Sequence, residues 1–303
     1  MVTHSIDITP FRHLYPYPSN FIRIDGLDYH YLDQGQGEPL LMVHGNPTWS
    51  FYFRSLVNAF SNQYRVIVPD HIGCGLSAKP NDVTYDFRLR SRVSDLAKLM
   101  DHLALSDPVT LVVHDWGGMI GLAWALGQTD RIARIIILNT AGFFPPANKP
   151  IPRRLRLIRS GVPLIKSAVL RLNLFARGAL VMAPRKPLGA DVKAGLLAPY
   201  DTPRHRLATL KFVEDIPLCA NDPSGRVVAD VDAHLHQICH CPTLILWGAH
   251  DFVFDLDYFN EWRRRLPNAE AHCFDDAGHY LLEDIPDKII SHIREFLRNS
   301  PVR

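Results

Sequence analysis

Asp115, Asp251 and His279 are residues whose types and chain order suit covalent chemistry. A carboxylate needs no base to become a nucleophile, because its ordinary pKa of about 4 leaves it ionised at neutral pH. Asp115 can therefore attack a saturated carbon in line, displace a leaving group and hold the substrate as an ester. Asp before a helix is also a common N-cap. Its company has to decide between the two roles.

Val109 to Val113 form an apolar, β-branched run that reads as a strand buried on both faces, and Gly117, Gly118, Gly121, Ala123 and Ala125 then open a helix that can pack closely on a sheet. Strand, tight turn and helix make a nucleophile elbow, usually G-x-S-x-G, here with Asp115 in the serine position and Val113 in the leading one. In a parallel sheet, functional groups collect at the carboxyl ends of the strands. Four such loops, at 44–50, 114–118, 248–255 and 275–280, carry suitable residues. The order nucleophile, acid, histidine is that of the α/β-hydrolase fold.

In a hydrolytic cycle His279 would take a proton from the water that attacks the Asp115 ester, and Asp251 would hold the imidazole tautomer and favour its charged form. Asp255 is a second candidate acid. Asp251 is preferred because it directly follows Trp247-Gly-Ala-His250 at a strand end. The backbone N–H groups of Asn46 and Trp116 are placed for an oxyanion hole, and their side chains are neutral donors suited to a departing anion. His44 reads as a buried structural histidine.

These residues need a scaffold. Phe21 to Ile24 and Tyr29 to Leu32, separated by Asp25-Gly26, predict an edge hairpin. Leu40 to Val43, Tyr64 to Val68, Arg134 to Asn139, Thr243 to Trp247 and Ala269 to Phe274 predict further strands. Helical segments are expected over Phe51 to Phe60, Phe87 to Leu103, Tyr258 to Arg265 and Pro286 to Arg298. The alternation implies a mostly parallel sheet covered on both faces. It breaks at Phe143 and resumes after about Asp222, so the expected organisation is a core in two parts, 1–142 and 223–303, with a helical lid at 143–222. Residues 1–20, rich in Pro and aromatics, read as an extended arm around the core.

Composition narrows the function classes. A chain of 303 residues with 47% hydrophobic and 21% charged residues and a formal charge of +2 gives no reason to expect nucleic acid as a partner. No apolar run reaches membrane-spanning length and no secretory pattern opens the chain, so a cytoplasmic location is expected. Five irregularly spaced cysteines argue against a disulfide framework. Cys239 and Cys241 among His234, His236 and His240 lack metal-site spacing, and neither metal nor cofactor is expected.

The stretches His44-Gly-Asn-Pro-Thr-Trp-Ser50, Asp70 to Pro80, Val112-Val-His-Asp-Trp-Gly-Gly118 and Asp276-Ala-Gly-His279 resemble those of α/β-hydrolases of the haloalkane dehalogenase type. Asp115 to Gly121, Asn139-Thr-Ala-Gly-Phe143, Ala198-Pro-Tyr-Asp201, Asp215-Ile-Pro-Leu218 and Asp251-Phe-Val-Phe-Asp255 more narrowly resemble the β-lactone decarboxylases of bacterial olefin biosynthesis. That resemblance implies conversion of cis-3-alkyl-4-alkyloxetan-2-ones to cis-alkenes and carbon dioxide, a hydrophobic small-molecule substrate, and association with other olefin-pathway enzymes. Haloalkane dehalogenation through an alkyl-enzyme ester is the alternative. The lid segment has no Trp of the kind that holds halide in one dehalogenase subgroup. It has only Tyr200, where epoxide hydrolases use two lid tyrosines, and this argues against epoxide hydrolysis.

Overall fold

The computed structural model describes residues 6–302. Eight strands form one sheet: β1 (Asn20–Ile24), β2 (Leu27–Gln34), β3 (Pro39–Val43), β4 (Arg65–Pro69), β5 (Val109–Asp115), β6 (Ile132–Thr140), β7 (Thr243–Gly248) and β8 (Glu270–Phe274). Their order across the sheet is β1-β2-β4-β3-β5-β6-β7-β8. β1 and β2, and β2 and β4, are antiparallel, and every other pairing is parallel. The edge hairpin turns through Asp25 and Gly26, both at positive φ (47° and 81°), as a two-residue turn between twisted strands requires.

The central strands are buried on both faces, and their alternating side chains divide between two cores. Leu41, Val43, Leu111, Val113, Ile135 and Ile137 face one, packed with helices α2 (Leu89–Leu103) and α3 (Trp116–Leu126). Leu40, Met42, Val112, Ile136, Leu138 and Leu244 face the other. There α1 (Arg54–Phe60) and the C-terminal helix cover them.

The expected helix over Phe51 to Phe60 is split, with a 3₁₀ turn at Ser50–Phe53 preceding α1. The Ser50 N–H is drawn to Asp70 Oδ1 at 2.7 Å. Asp70, fully buried after β4, also accepts from the Leu76 N–H (2.8 Å) and meets His30 Nδ1 (2.7 Å). Burial acts to raise its pKa, but the His30 partner and these bonds outweigh that and hold it well below the usual carboxylate range. The 70–80 motif is thus a loop wound around one buried carboxylate. Within the N-terminal arm, Phe11 and Tyr15 are buried against Trp49 and Phe51; residues 1–5 lie outside the described residues.

Between β6 and β7 the described chain forms helices and no strand: α4 (Arg153–Arg159), α5 (Pro163–Leu172), α6 (Leu174–Met182), α7 (Ala190–Leu197) and α8 (Leu207–Glu214). α4, α5 and α6 all pack on α8. The following α9 (Gly225–His234) packs on α3. The chain closes with α10 (Leu256–Arg265), α11 (Leu281–Asp284) and α12 (Pro286–Asn299). Among the described residues no helix is long and apolar enough to cross a membrane.

Candidate active site

Asp115 is the last residue of β5 and stands at φ 51°, ψ −127°, a conformation rare for a residue with a side chain. The chain around it is packed closely. A Cβ on Gly117 would overlap the Val43 carbonyl, and one on Gly45 would overlap the Asp115 carboxylate itself. The Thr140 hydroxyl donates to the Asp115 carbonyl from the adjoining strand. The carboxylate does not cap α3 through any side-chain bond of the N-cap kind. Instead, Oδ2 accepts the Asn46 N–H at 2.6 Å, and the neighbouring Trp116 N–H also favours the charged form. Burial pushes the Asp115 pKa up to about 6 against the pull of His279 and of the two N–H donors, with Asp251 adding to the rise. At neutral pH the group is mainly ionised.

His279 follows β8, and its Nδ1 lies 2.6 Å from Asp251 Oδ2. A carboxylate there requires Nδ1 to carry a proton. Asp251 is 3% exposed and has two further donors: the Asn139 amide to Oδ2 at 3.0 Å and the Val253 N–H to Oδ1 at 2.7 Å. Asp255 has other work, accepting the Asp257 N–H at 3.1 Å to cap α10 and pairing with Lys149. Burial alone would lower the His279 pKa. The charge and hydrogen bond of Asp251, with the Asp115 charge, outweigh it, and the net shift is upward.

Asn46 and Trp116 border the same cavity as Asp115 and His279. The Asn46 side chain is not wholly free for a leaving group, because its amide donates to the Thr209 carbonyl of α8 at 3.0 Å. One of its two N–H donors remains. The Trp116 ring packs against Phe212, 5.1 Å between centroids. His44 is fully buried; its Nδ1 donates to the Gly45 carbonyl at 2.8 Å and its Nε2 accepts the His71 N–H at 3.2 Å. Burial brings its pKa down to about 4, so it is neutral, and it does not border the cavity.

Four contributors escape the sequence reading. Asn139 also donates to the Gly248 carbonyl (3.1 Å) and accepts the Gly248 N–H (2.7 Å), tying the ends of β6 and β7 together at the acid. His114 Nε2 donates to the His279 carbonyl at 2.8 Å and steadies that loop. Tyr258 and Tyr280 face the cavity, whereas Tyr200 is buried away from it. Among the described residues, the His/acid group close enough to ligate a metal is Glu270, His272 and His292, on β8 and α12 outside the cavity.

The model of the α/β hydrolase fold matches residues 38–286. The chain belongs to the α/β-hydrolase family. Over 286 residues it is 44% identical to the cis-3-alkyl-4-alkyloxetan-2-one decarboxylase of Shewanella oneidensis, covering 94% of this chain and 89% of that one. It is 31% identical to haloalkane dehalogenase 2 of Mycobacterium tuberculosis over 96% of this chain and 99% of the other. The crystal structure of haloalkane dehalogenase from Bradyrhizobium elkani superposes with a TM-score of 0.82 at 22% identity, over 93% of this chain and 98% of that one.

In this α/β-hydrolase the cavity bordered by Asp115 has a volume of about 660 Å³, near the middle of the range of about 300–1,000 Å³ usual for small-molecule sites. Its walls come from the inserted helices (Leu155, Ile158, Ile165, Phe175, Val213) and from the loop carrying Phe254. Apart from the catalytic end, two tyrosines and Arg154, the lining is apolar.

Proposed function

We propose that this chain decarboxylates cis-β-lactones bearing two alkyl substituents, giving cis-alkenes and carbon dioxide. The observation that carries the reading is a buried carboxylate bordering a mostly apolar cavity of about 660 Å³. The names of the relatives at 44% and 41% identity support the same substrate class. Residues 143–222 serve as the lid that supplies the apolar walls.

Asp115 acts as nucleophile. Attack on C4 of the ring breaks the C4–O bond, forms the Asp115 ester and releases the ring oxygen as a carboxylate. The Trp116 indole N–H, the remaining Asn46 amide proton and the His279 imidazolium receive that charge. The bond from the α-carbon to the carboxylate then breaks. Its electron pair becomes the alkene π bond, carbon dioxide leaves and Asp115 departs as carboxylate, so no net proton is consumed. Inversion at C4 followed by anti loss preserves cis geometry. Attack at the lactone carbonyl, giving an anhydride, is the other route; oxygen label placed in Asp115 moves readily into carbon dioxide only on that path.

The haloalkane reading uses the same residues with water in the second step, and the 31% identical dehalogenase favours it. It needs a neutral His279 as base in the second step, when Asp115 is esterified and its charge no longer raises the imidazole. The five cysteines are free, which fits the cytoplasm, and association with other olefin-forming enzymes goes with the lactone reading. One preparation assayed with a cis-β-lactone and with 1-bromobutane tests the proposal. Alkene and carbon dioxide without bromide is the expected result; bromide release without alkene overturns it.

A further inference from the structure

Between residues 149 and 186 the chain carries ten Lys or Arg and no Asp or Glu, while the remaining residues carry 23 basic and 31 acidic side chains. The positive segment is α4 to α6, the outer layer of the lid. Arg159 and Lys166 are neutralised by Asp222 and Glu214. Arg153, Arg154, Arg156, Arg171, Arg177 and Arg185 are exposed and have no carboxylate partner among the described residues.

Exposed aliphatic side chains stand among them. Leu164 and Val181 are each 79% exposed, Leu172 65%, Leu157 55% and Leu174 54%. These are not scattered singly. Leu157, Leu164 and Leu174, with Met182 and Arg154, also border the catalytic cavity, so the exposed apolar side chains form its rim. An apolar rim ringed by unpaired arginines is the pattern of an interfacial surface: arginine stems lie along apolar surface while their heads reach phosphate oxygens.

We infer that the outer face of α4 to α6 docks on an anionic phospholipid bilayer, with the cavity mouth opening toward the acyl chains. A uniformly positive face matches the continuous negative potential of such a surface, which attracts basic segments lying against it. The exposed apolar residues of these helices are aliphatic, not the Tyr and Trp that anchor protein interfaces. The purpose rests on the lactone reading above, since a substrate with two alkyl tails resides in lipid and would enter the cavity without crossing water.

The test uses the full chain in flotation with vesicles of phosphatidylcholine alone or mixed with phosphatidylglycerol. Binding at least tenfold tighter to the mixed vesicles, weakening as salt is raised, is expected. Combined Arg153→Glu, Arg156→Glu and Arg171→Glu should reduce it at least tenfold, and Leu172→Ser with Val181→Ser should weaken binding to both vesicle types. None of these five residues borders the cavity, so turnover of a short-chain lactone dispersed without vesicles stays unchanged and reports that the variants fold. Failure of the unaltered chain to bind either vesicle, or binding indifferent to the charge reversals, overturns the inference. Recovery of a stoichiometric acidic protein on this face with no vesicle binding overturns it in favour of a protein partner. Vesicle binding without lactone turnover would count against the proposed reaction and leave the docking surface standing.

Discussion

The Asn139 amide lies 3.0 Å from Asp251 Oδ2, the same oxygen that meets His279 Nδ1 at 2.6 Å. One side chain on β6 thus aims the acid on the loop after β7 at the histidine after β8. Asn139 does not border the cavity, so its loss should misalign the imidazole without touching substrate. Asn139→Ala is expected to lower kcat by roughly tenfold to a hundredfold with little change in KM, the scale of a displacement of about 1 Å at a reacting group. Steady-state kinetics on a lactone check this. Asn139→Asp would place a second carboxylate against Asp251, and one of the two should then titrate upward and move the pH profile.

Asp115→Asn should abolish turnover, since each proposed route begins with that carboxylate bonding to carbon. It should also stabilise the fold, in a pH-dependent way. Burial raises the Asp115 pKa from 3.8 to about 6, so folding favours the neutral form. The stability held by that form is present below about pH 4 and is lost as pH rises through 6. The variant never bears the buried charge. Its advantage is expected to be near zero at pH 4 and to approach at most about 3 kcal/mol above pH 7, reduced by whatever the neighbouring imidazolium returns. Thermal melts of both proteins at pH 4.5 and pH 8 measure the difference, and an equal gain at both would contradict the assignment of a buried carboxylate raised by desolvation.

The pH–rate profile separates the two chemistries. Ionisation of Asp115 should give kcat/KM a rising limb with its midpoint near pH 6. If His279 acts as an imidazolium receiving the lactone carboxylate, the rate should fall again on the alkaline side, at a pH above the ordinary histidine value of 6.5 because Asp251 and Asp115 raise it. A histidine acting as base toward water would instead hold the rate up at alkaline pH. Initial rates from pH 5 to 10 distinguish a bell from a plateau.

Much of this site is legible in the chain because strand-end chemistry is local. The apolar runs of β3 to β7 and the small residues after Asp115 mark the strand–turn–helix shape, and the strands extend a residue or two beyond those runs. The ladder continues through polar positions such as Asp115, paired with Thr140. The choice between Asp251 and Asp255 depends on where a loop folds back. The sequence order favours the former; the structure shows why the latter is occupied, as the cap of α10. Asn139 was not legible as a positioning residue, because its partners lie 109 and 112 residues away and nothing local distinguishes it from the polar end of a strand. The same holds for the Asn46 amide, whose acceptor on α8 is 163 residues distant.

Gly45 and Gly117 offer a test of whether the elbow's strain serves the fold or the reaction. A Cβ on Gly117 would overlap the Val43 carbonyl and its carbon, main-chain atoms of the central strand β3 that cannot yield without distorting the sheet. Gly117→Ala should therefore lower stability by about 1–3 kcal/mol, as overpacking in a core does. A Cβ on Gly45 meets side-chain atoms of Asp115 instead. Because the overlap includes the Asp115 Cβ as well as its carboxylate, the elbow must shift and carry the nucleophile off the Asn46 N–H and its line of attack. Gly45→Ala is expected to lose about a hundredfold or more in kcat, a rate loss greater than its fall in melting temperature accounts for. Measuring both quantities on both variants decides it. Parallel losses of stability and rate in the two proteins would mean that the glycines support only packing, whereas a rate loss outrunning the stability loss in Gly45→Ala means that this glycine makes room for the nucleophile.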